Sequence, residues 1–127
     1  MATQVDGNYI SAEAGADLSA KQYYICKLDT NGKAVLAAAG TDEISGTLAT
    51  VPQNANGVVS IKHISASGTG KVIAGGSISK GAYLTSDGNG KAVATTTAAD
   101  RVFGRARTAA AAGDIFEYEC FSGFMHA

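Results

Sequence analysis

Apolar and polar residues alternate along this chain with a period near two, in short runs broken by small turn-forming residues. Tyr23-Tyr24-Ile25-Cys26-Lys27-Leu28 leads through Asp29-Thr30-Asn31-Gly32 into Lys33-Ala34-Val35-Leu36-Ala37. Further on, Ala82-Tyr83-Leu84-Thr85-Ser86 leads through Asp87-Gly88-Asn89-Gly90 into Lys91-Ala92-Val93-Ala94. Asn and Gly both tolerate positive φ, and such a turn matches the twist of the strands it joins. Each stretch therefore reads as strand, tight turn and returning strand, with Asn31, Gly32, Asn89 and Gly90 as turn residues. The Asp that opens each turn can accept a bond from the backbone N–H two residues on.

The same pattern predicts strands near 22–28, 33–38, 44–50, 57–64, 70–74, 81–86, 91–95, 101–108 and 114–121. No segment sustains an apolar period of 3.6. The runs Ala37-Ala38-Ala39-Gly40 and Ala109-Ala110-Ala111-Ala112-Gly113 could each form one helical turn that Gly ends. Many short strands with regular turns predict an all-β fold, a small β-barrel or sandwich of antiparallel strands and hairpins. Pro52 follows the expected strand ending at Val51, a place where proline is tolerated.

Asn31-Gly32-Lys33-Ala34-Val35 returns letter for letter as Asn89-Gly90-Lys91-Ala92-Val93, an offset of 58 positions. Asp29 and Asp87, Ile44 and Val102, and Gly46 and Gly104 keep that offset. Upstream, Leu18-Ser19-Ala20-Lys21-Gln22-Tyr23 resembles Ile78-Ser79-Lys80-Gly81-Ala82-Tyr83 with a slip of two. Downstream, Asn56-Gly57-Val58-Val59 lies against Ala112-Gly113-Asp114-Ile115. The chain thus reads as one β domain, 18–127, with an internal duplication over about 18–64 and 78–121. Before it comes an extended arm, 1–17, which is polar and small apart from the patch Tyr9-Ile10 and offers one short strand.

Hydrophobic residues make up 46% of the 127, but that share holds 24 alanines, only 25 Leu, Ile, Val and Phe, and no Trp. Stability scales with buried apolar area, so this core is thin and the domain is expected to lean on partner subunits. Net charge is −1, which gives no general pull towards nucleic acid or an anionic membrane. No apolar run approaches the roughly 18 residues of a membrane span. Met1-Ala2-Thr3-Gln4-Val5-Asp6 lacks the basic head and apolar segment of a secretory signal, so synthesis in a cytoplasm is expected.

Candidate chemistry is sparse. Cys26 and Cys120 read as small buried apolar residues; a disulfide needs neighbouring strands, and a reducing compartment opposes it. With no His nearby they make no metal site. Asp-x-Asn-Gly begins like a calcium loop but lacks the further ligands and the closing Glu. Gly68-Thr69-Gly70-Lys71 lacks the remaining positions of a phosphate loop and reads as a hairpin turn. Gly75-Gly76-Ser77 lacks the last Gly of a nucleophile elbow. His63 shares a face with Val59 and Ile61 and reads as a packed or interface residue rather than a base. No carboxylate pair stands out for acid–base work. No enzyme activity, metal or cofactor is expected.

Arg101, Phe103, Arg105 and Arg107 fall on one face of their strand, with Val102, Gly104 and Ala106 on the other. Glu117 and Glu119 oppose Phe116, Tyr118 and Cys120. The arginines could form a patch for an acidic partner. Cross-strand pairing with Glu117 and Glu119, for under about 1 kcal/mol each, is the favoured reading. The tail Phe121-Ser122-Gly123-Phe124-Met125-His126 is either a last core strand or a contact for another chain.

The run Ile78-Ser79-Lys80-Gly81-Ala82-Tyr83-Leu84, then Gly90-Lys91-Ala92-Val93, Val102-Phe103-Gly104-Arg105-Ala106 and Ala112-Gly113-Asp114-Ile115 resembles tailed-bacteriophage capsid decoration proteins, also called capsid cement proteins. The resemblance spans about residues 15–121; it departs at Lys80-Gly81-Ala82, where the family often has an acidic residue after the Gly. It implies a small, commonly trimeric β-barrel protein on the outer capsid surface, bridging and stabilising major capsid protein subunits. The expected partners are the major capsid protein and the chain itself, with no nucleic acid and no membrane. Contact candidates are Tyr9 and Ile10 in the arm, Arg101, Arg105 and Arg107, and Phe124. The alternatives are a phage tail or fibre component, and a surface carbohydrate-binding β module, which the lack of Trp disfavours. A hydrolase subunit built around His63 is the remaining competitor.

Overall fold

The computed structural model describes residues 9–51, 57–64, 66 and 68–124. Ten strands make two five-stranded sheets, and among the described residues there is no helix. The first half supplies β1 (Tyr9–Glu13), β2 (Ile25–Leu28), β3 (Ala34–Leu36), β4 (Ile44–Thr50) and β5 (Val58–His63). The second supplies β6 (Thr69–Ile73), β7 (Tyr83–Ser86), β8 (Ala92–Ala94), β9 (Arg101–Ala106) and β10 (Ile115–Phe124). The sheet orders are β1-β5-β4-β2-β3 and β6-β10-β9-β7-β8, so each half runs through the same topology. The ladders are antiparallel and do not close into a barrel; the architecture is a sandwich.

The equivalence extends to single bonds. The parallel bridge Ala14–Ala34 ties the end of β1 towards β3, and Ala74–Ala92 does the same in the second half. In each turn one carboxylate oxygen accepts two N–H groups: Asp29 from Asn31 (2.8 Å) and Lys33 (2.9 Å), Asp87 from Asn89 (2.8 Å) and Lys91 (2.9 Å). Gly32 and Gly90 close these turns at φ +75° and +76°. The Tyr23 N–H donates to the Leu48 carbonyl at 2.8 Å, and the Gly81 N–H to the Ala106 carbonyl at 2.8 Å. Tyr23 is therefore the counterpart of Gly81, not of Tyr83, and the slip of two falls before it, between Leu18 and Lys21. Tyr23 has φ +70° and Gly81 φ +85°, so one backbone shape is kept with and without a side chain.

Each half curls around its own core. Ala14, Leu18, Cys26, Ala34, Leu48, Val59 and Ile61 form the first cluster. Their counterparts Ala74, Ile78, Leu84, Ala92, Ala106, Phe116 and Tyr118 are all buried in the second. The second cluster also takes in Ile25, Ala37 and Ile44 from the first half, and these residues dock the halves. The Ile25 N–H completes the seam by donating to the Gly90 carbonyl at 2.7 Å.

The alanine runs form turns rather than helical turns. The Asp42 carboxylate accepts the Ala38 and Ala39 N–H groups at 2.7 and 3.1 Å, and Asp114 accepts that of Ala111 at 3.0 Å. A side chain that captures these donors competes with the helical pattern. Gly68-Thr69-Gly70-Lys71 is not a hairpin turn either: Thr69, Gly70 and Lys71 already belong to β6. Tyr9–Glu13, within the span read as an arm, form β1 and pair with β5. Pro52 and Met125-His126 lie outside the described residues.

Candidate functional site

A cleft of about 310 Å³ lies where β1, β4 and β5 of the first half meet β6 and β10 of the second; Tyr9, Tyr23, Thr47, Lys62, Lys71 and Glu117 are among its lining residues. Lys62 is 7% exposed. Its position follows from pairing: on β5 it lies opposite Tyr9 of β1 and Thr47 of β4. Its ammonium sits 5.0 Å from the centre of the Tyr9 ring. A cation over an aromatic face is attracted by the ring quadrupole.

Beside Lys62, the Thr47 and Tyr118 hydroxyls lie 2.9 Å apart, joining the two sheets. Burial pushes the Tyr118 phenol well above its ordinary range, with the Thr47 bond acting in the opposite direction. The ring fits because a side chain on Gly70 or Gly104 would run into it. Phe103 meets it edge-on at 5.1 Å. In the first half the pair at this place is Ile10 opposite Ile61; in the second it is Gly70 opposite Tyr118. The volume has moved from one strand to its neighbour, and with it came a hydroxyl that reaches the other sheet.

Tyr23 lines the cleft from a left-handed backbone conformation, which costs a non-glycine residue about 1–2 kcal/mol. The conformation is held from both sides: besides its own N–H bond, the Tyr23 carbonyl accepts the Ile73 N–H at 3.0 Å.

The residues singled out from sequence are dispersed. Tyr9 is 51% exposed at the cleft edge, while Ile10 packs against the first core cluster. Arg105 pairs with Glu119 at 2.9 Å and Arg107 with Glu117 at 2.6 Å, so the cross-strand reading holds for both. The backbone N–H of Arg101 donates to the Gly40 carbonyl at 2.7 Å, a bond between halves. Phe124 ends β10 opposite Arg101. Cys26 and Cys120 are both free thiols, the first buried and the second half-buried. No His, Cys, Asp or Glu cluster suited to a metal occurs among the described residues, and they contain no helix long and apolar enough to cross a membrane.

Two features were missed. Tyr83 (39% exposed) and Phe121 (49%) form an aromatic pair on the surface with ring centres 5.7 Å apart. Lys62 was missed because alternation with Val59 and Ile61 places it on the outward face of β5; the second half covers that face. A signal was present in the duplication: the counterpart of Lys62 is Glu119.

Comparison with known structures finds a fold likeness over nearly the whole chain. The chain is similar to the head fiber gp8.5 N base of bacteriophage phi29, known from a crystal structure. The TM-score is 0.66 with 22% sequence identity, over 94% of this chain and 98% of that one. No protein-family model matches the chain, and no curated protein sequence does.

Proposed function

We propose that this chain is a structural protein of a bacteriophage head, acting by binding rather than catalysis. The observation that carries the reading is the shared fold with the phi29 head fiber base, end to end in both chains. The decoration-protein motifs in Ile78–Leu84, Gly90–Val93 and Val102–Ala106 point the same way from sequence alone. The finer reading is a cement role: the chain sits on the outer capsid surface, associates with itself as a trimer and bridges major capsid protein subunits. A thin core and an exposed Tyr83–Phe121 pair favour a chain that completes its burial against neighbours. Many modest contacts around a symmetric site would then add through avidity.

The test is reconstitution. Purified chain is added to expanded heads that lack it, and bound protein is measured by sedimentation and particle stability by the temperature of DNA release. The cement reading expects saturable binding and a raised release temperature; absence of binding sinks the head assignment. The fibre-base reading has its own support, since the similar structure is the base of a fibre. It expects binding with an unchanged release temperature. Electron cryomicroscopy of the reconstituted particles separates a bridging knob from a projecting base.

A further inference from the structure

We propose that the inter-sheet cleft is a receptor for one carboxylate, with Lys62 as its anchoring cation. The inference goes beyond the phage-head reading and does not depend on it. Comparison of the two halves makes the first argument. At equivalent cross-strand positions the second half pairs Arg105 with Glu119 as an ion pair at 2.9 Å, while the first pairs Thr47 with Lys62. The first half keeps a charge and lacks the opposite one.

Burial makes the second. Glu119 and Arg105 are half-exposed, so either could stand alone in water at small cost. Lys62 is 7% exposed, and among the described residues the ion pairs are Lys27–Asp42, Lys33–Glu13, Arg105–Glu119 and Arg107–Glu117. No side-chain nitrogen or oxygen among the described residues is both sealed from solvent and without a partner, so the Lys62 stem is buried while its ammonium opens onto the cleft, with the Tyr9 ring beside it and room for a counter-ion.

The third is the cleft itself. Its charged lining residues are Lys62, Lys71 and Glu117, and Arg107 engages Glu117 at 2.6 Å. An incoming group therefore meets net positive charge, with Tyr9, Tyr23 and Thr47 as hydroxyl-bearing neighbours. Tyr23 reaches this wall at the cost of a strained backbone; Gly81 takes the same conformation in the second half with no side chain. Strain retained at a cleft is a mark of function. A volume of about 310 Å³ admits an acidic side chain or a small organic acid. The shared chemistry is one carboxylate, carried either by a partner polypeptide or by a free acid.

The full chain, labelled with ¹⁵N and ¹³C, is titrated at constant ionic strength with acetate, glutarate, a capped Gly-Glu-Gly peptide, inorganic phosphate and chloride. The expected result is saturable one-site shifts at Tyr9, Thr47 and Lys62 with a carboxylate, and none with chloride. Lys62→Met and Lys62→Gln should weaken the response at least tenfold, and Lys71→Gln less. Peptide binding tighter than acetate and glutarate assigns the source to a polypeptide; the reverse assigns it to a free acid. Where the Lys62 variants do not fold, the wild-type Lys62 side-chain ¹³Cε resonance decides, since a bound carboxylate must move it. Absence of saturable shifts, undiminished binding in a folded Lys62→Met, or phosphate binding tighter than every carboxylate overturns the proposal.

Discussion

The hydroxyl of Tyr118 lies 2.9 Å from that of Thr47, 71 residues earlier, and the bond links the two sheets at a buried place. Removing one partner leaves the other unsatisfied, at about 1–3 kcal/mol. Tyr118→Phe and Thr47→Val should each lower the unfolding free energy by that amount in urea titration. The double variant should lose less than the sum of the two, because no orphan hydroxyl remains. Strict additivity would mean that the two hydroxyls do not share a bond.

Two glycines should respond differently to the same change. Gly81 has φ +85° with open space around it, so Gly81→Ala meets only backbone strain and should cost about 1 kcal/mol. Gly104→Ala would drive a methyl group into the Tyr118 ring and the Glu119 carbonyl. It should cost about 3 kcal/mol or more, in the range of severe core disruption. Thermal unfolding of the two variants side by side measures the contrast.

The turn carboxylates should be of equal worth and independent. Asp29→Ala and Asp87→Ala each remove one oxygen that accepts two backbone N–H groups. A loss of about 1–2 kcal/mol apiece is expected, since both bonds reach a charged acceptor but are largely exposed. Their effects should add in the double variant. A much larger loss at Asp87 would show that its place beside Gly75 matters more than the turn.

Cys26 sets a limit at high pH. Burial pushes its thiol up to about 12 from the ordinary 9.0, outweighing a bond from the Gly46 backbone. The folded state therefore favours the neutral thiol more than the unfolded state does. That stability is whole below pH 9.0 and is lost as pH rises towards 12. The wild type should lose about 1.4 kcal/mol per pH unit more than Cys26→Ala between those limits. In thiol labelling at neutral pH, Cys26 should react only on unfolding, well after Cys120.

The hairpins were legible because Asp-x-Asn-Gly fixes its turn by local bonds alone. The sandwich was only half legible, since nothing in a single strand says whether β1 pairs with its own sheet or with a neighbour's. Gly70 was misread as a turn residue; in the fold it is a strand glycine that makes room for a ring 48 residues away in sequence, at Tyr118. The alanine runs misled because their N–H groups go to Asp42 and Asp114. The burial of Lys62 was hidden, because alternation describes a lone sheet and the second half covers the face that alternation calls outward. Comparing the two halves position by position was the one route to it from sequence.

Identical strand orders also bear on how the chain finds its fold. While folding, β1 and β6 compete for the same kind of sheet edge, and either could pair with β5 or β10 of another molecule. What tells the halves apart is the exchange of Ile10 and Ile61 for Gly70 and Tyr118, together with the shorter link after Ile78. A β1 strand placed on β10 would set Ile10 against a ring that has no hollow to enter. The fidelity of folding, and resistance to swapped dimers at high concentration, are thus expected to draw on one bulky side chain, the missing one opposite it and the length of that link.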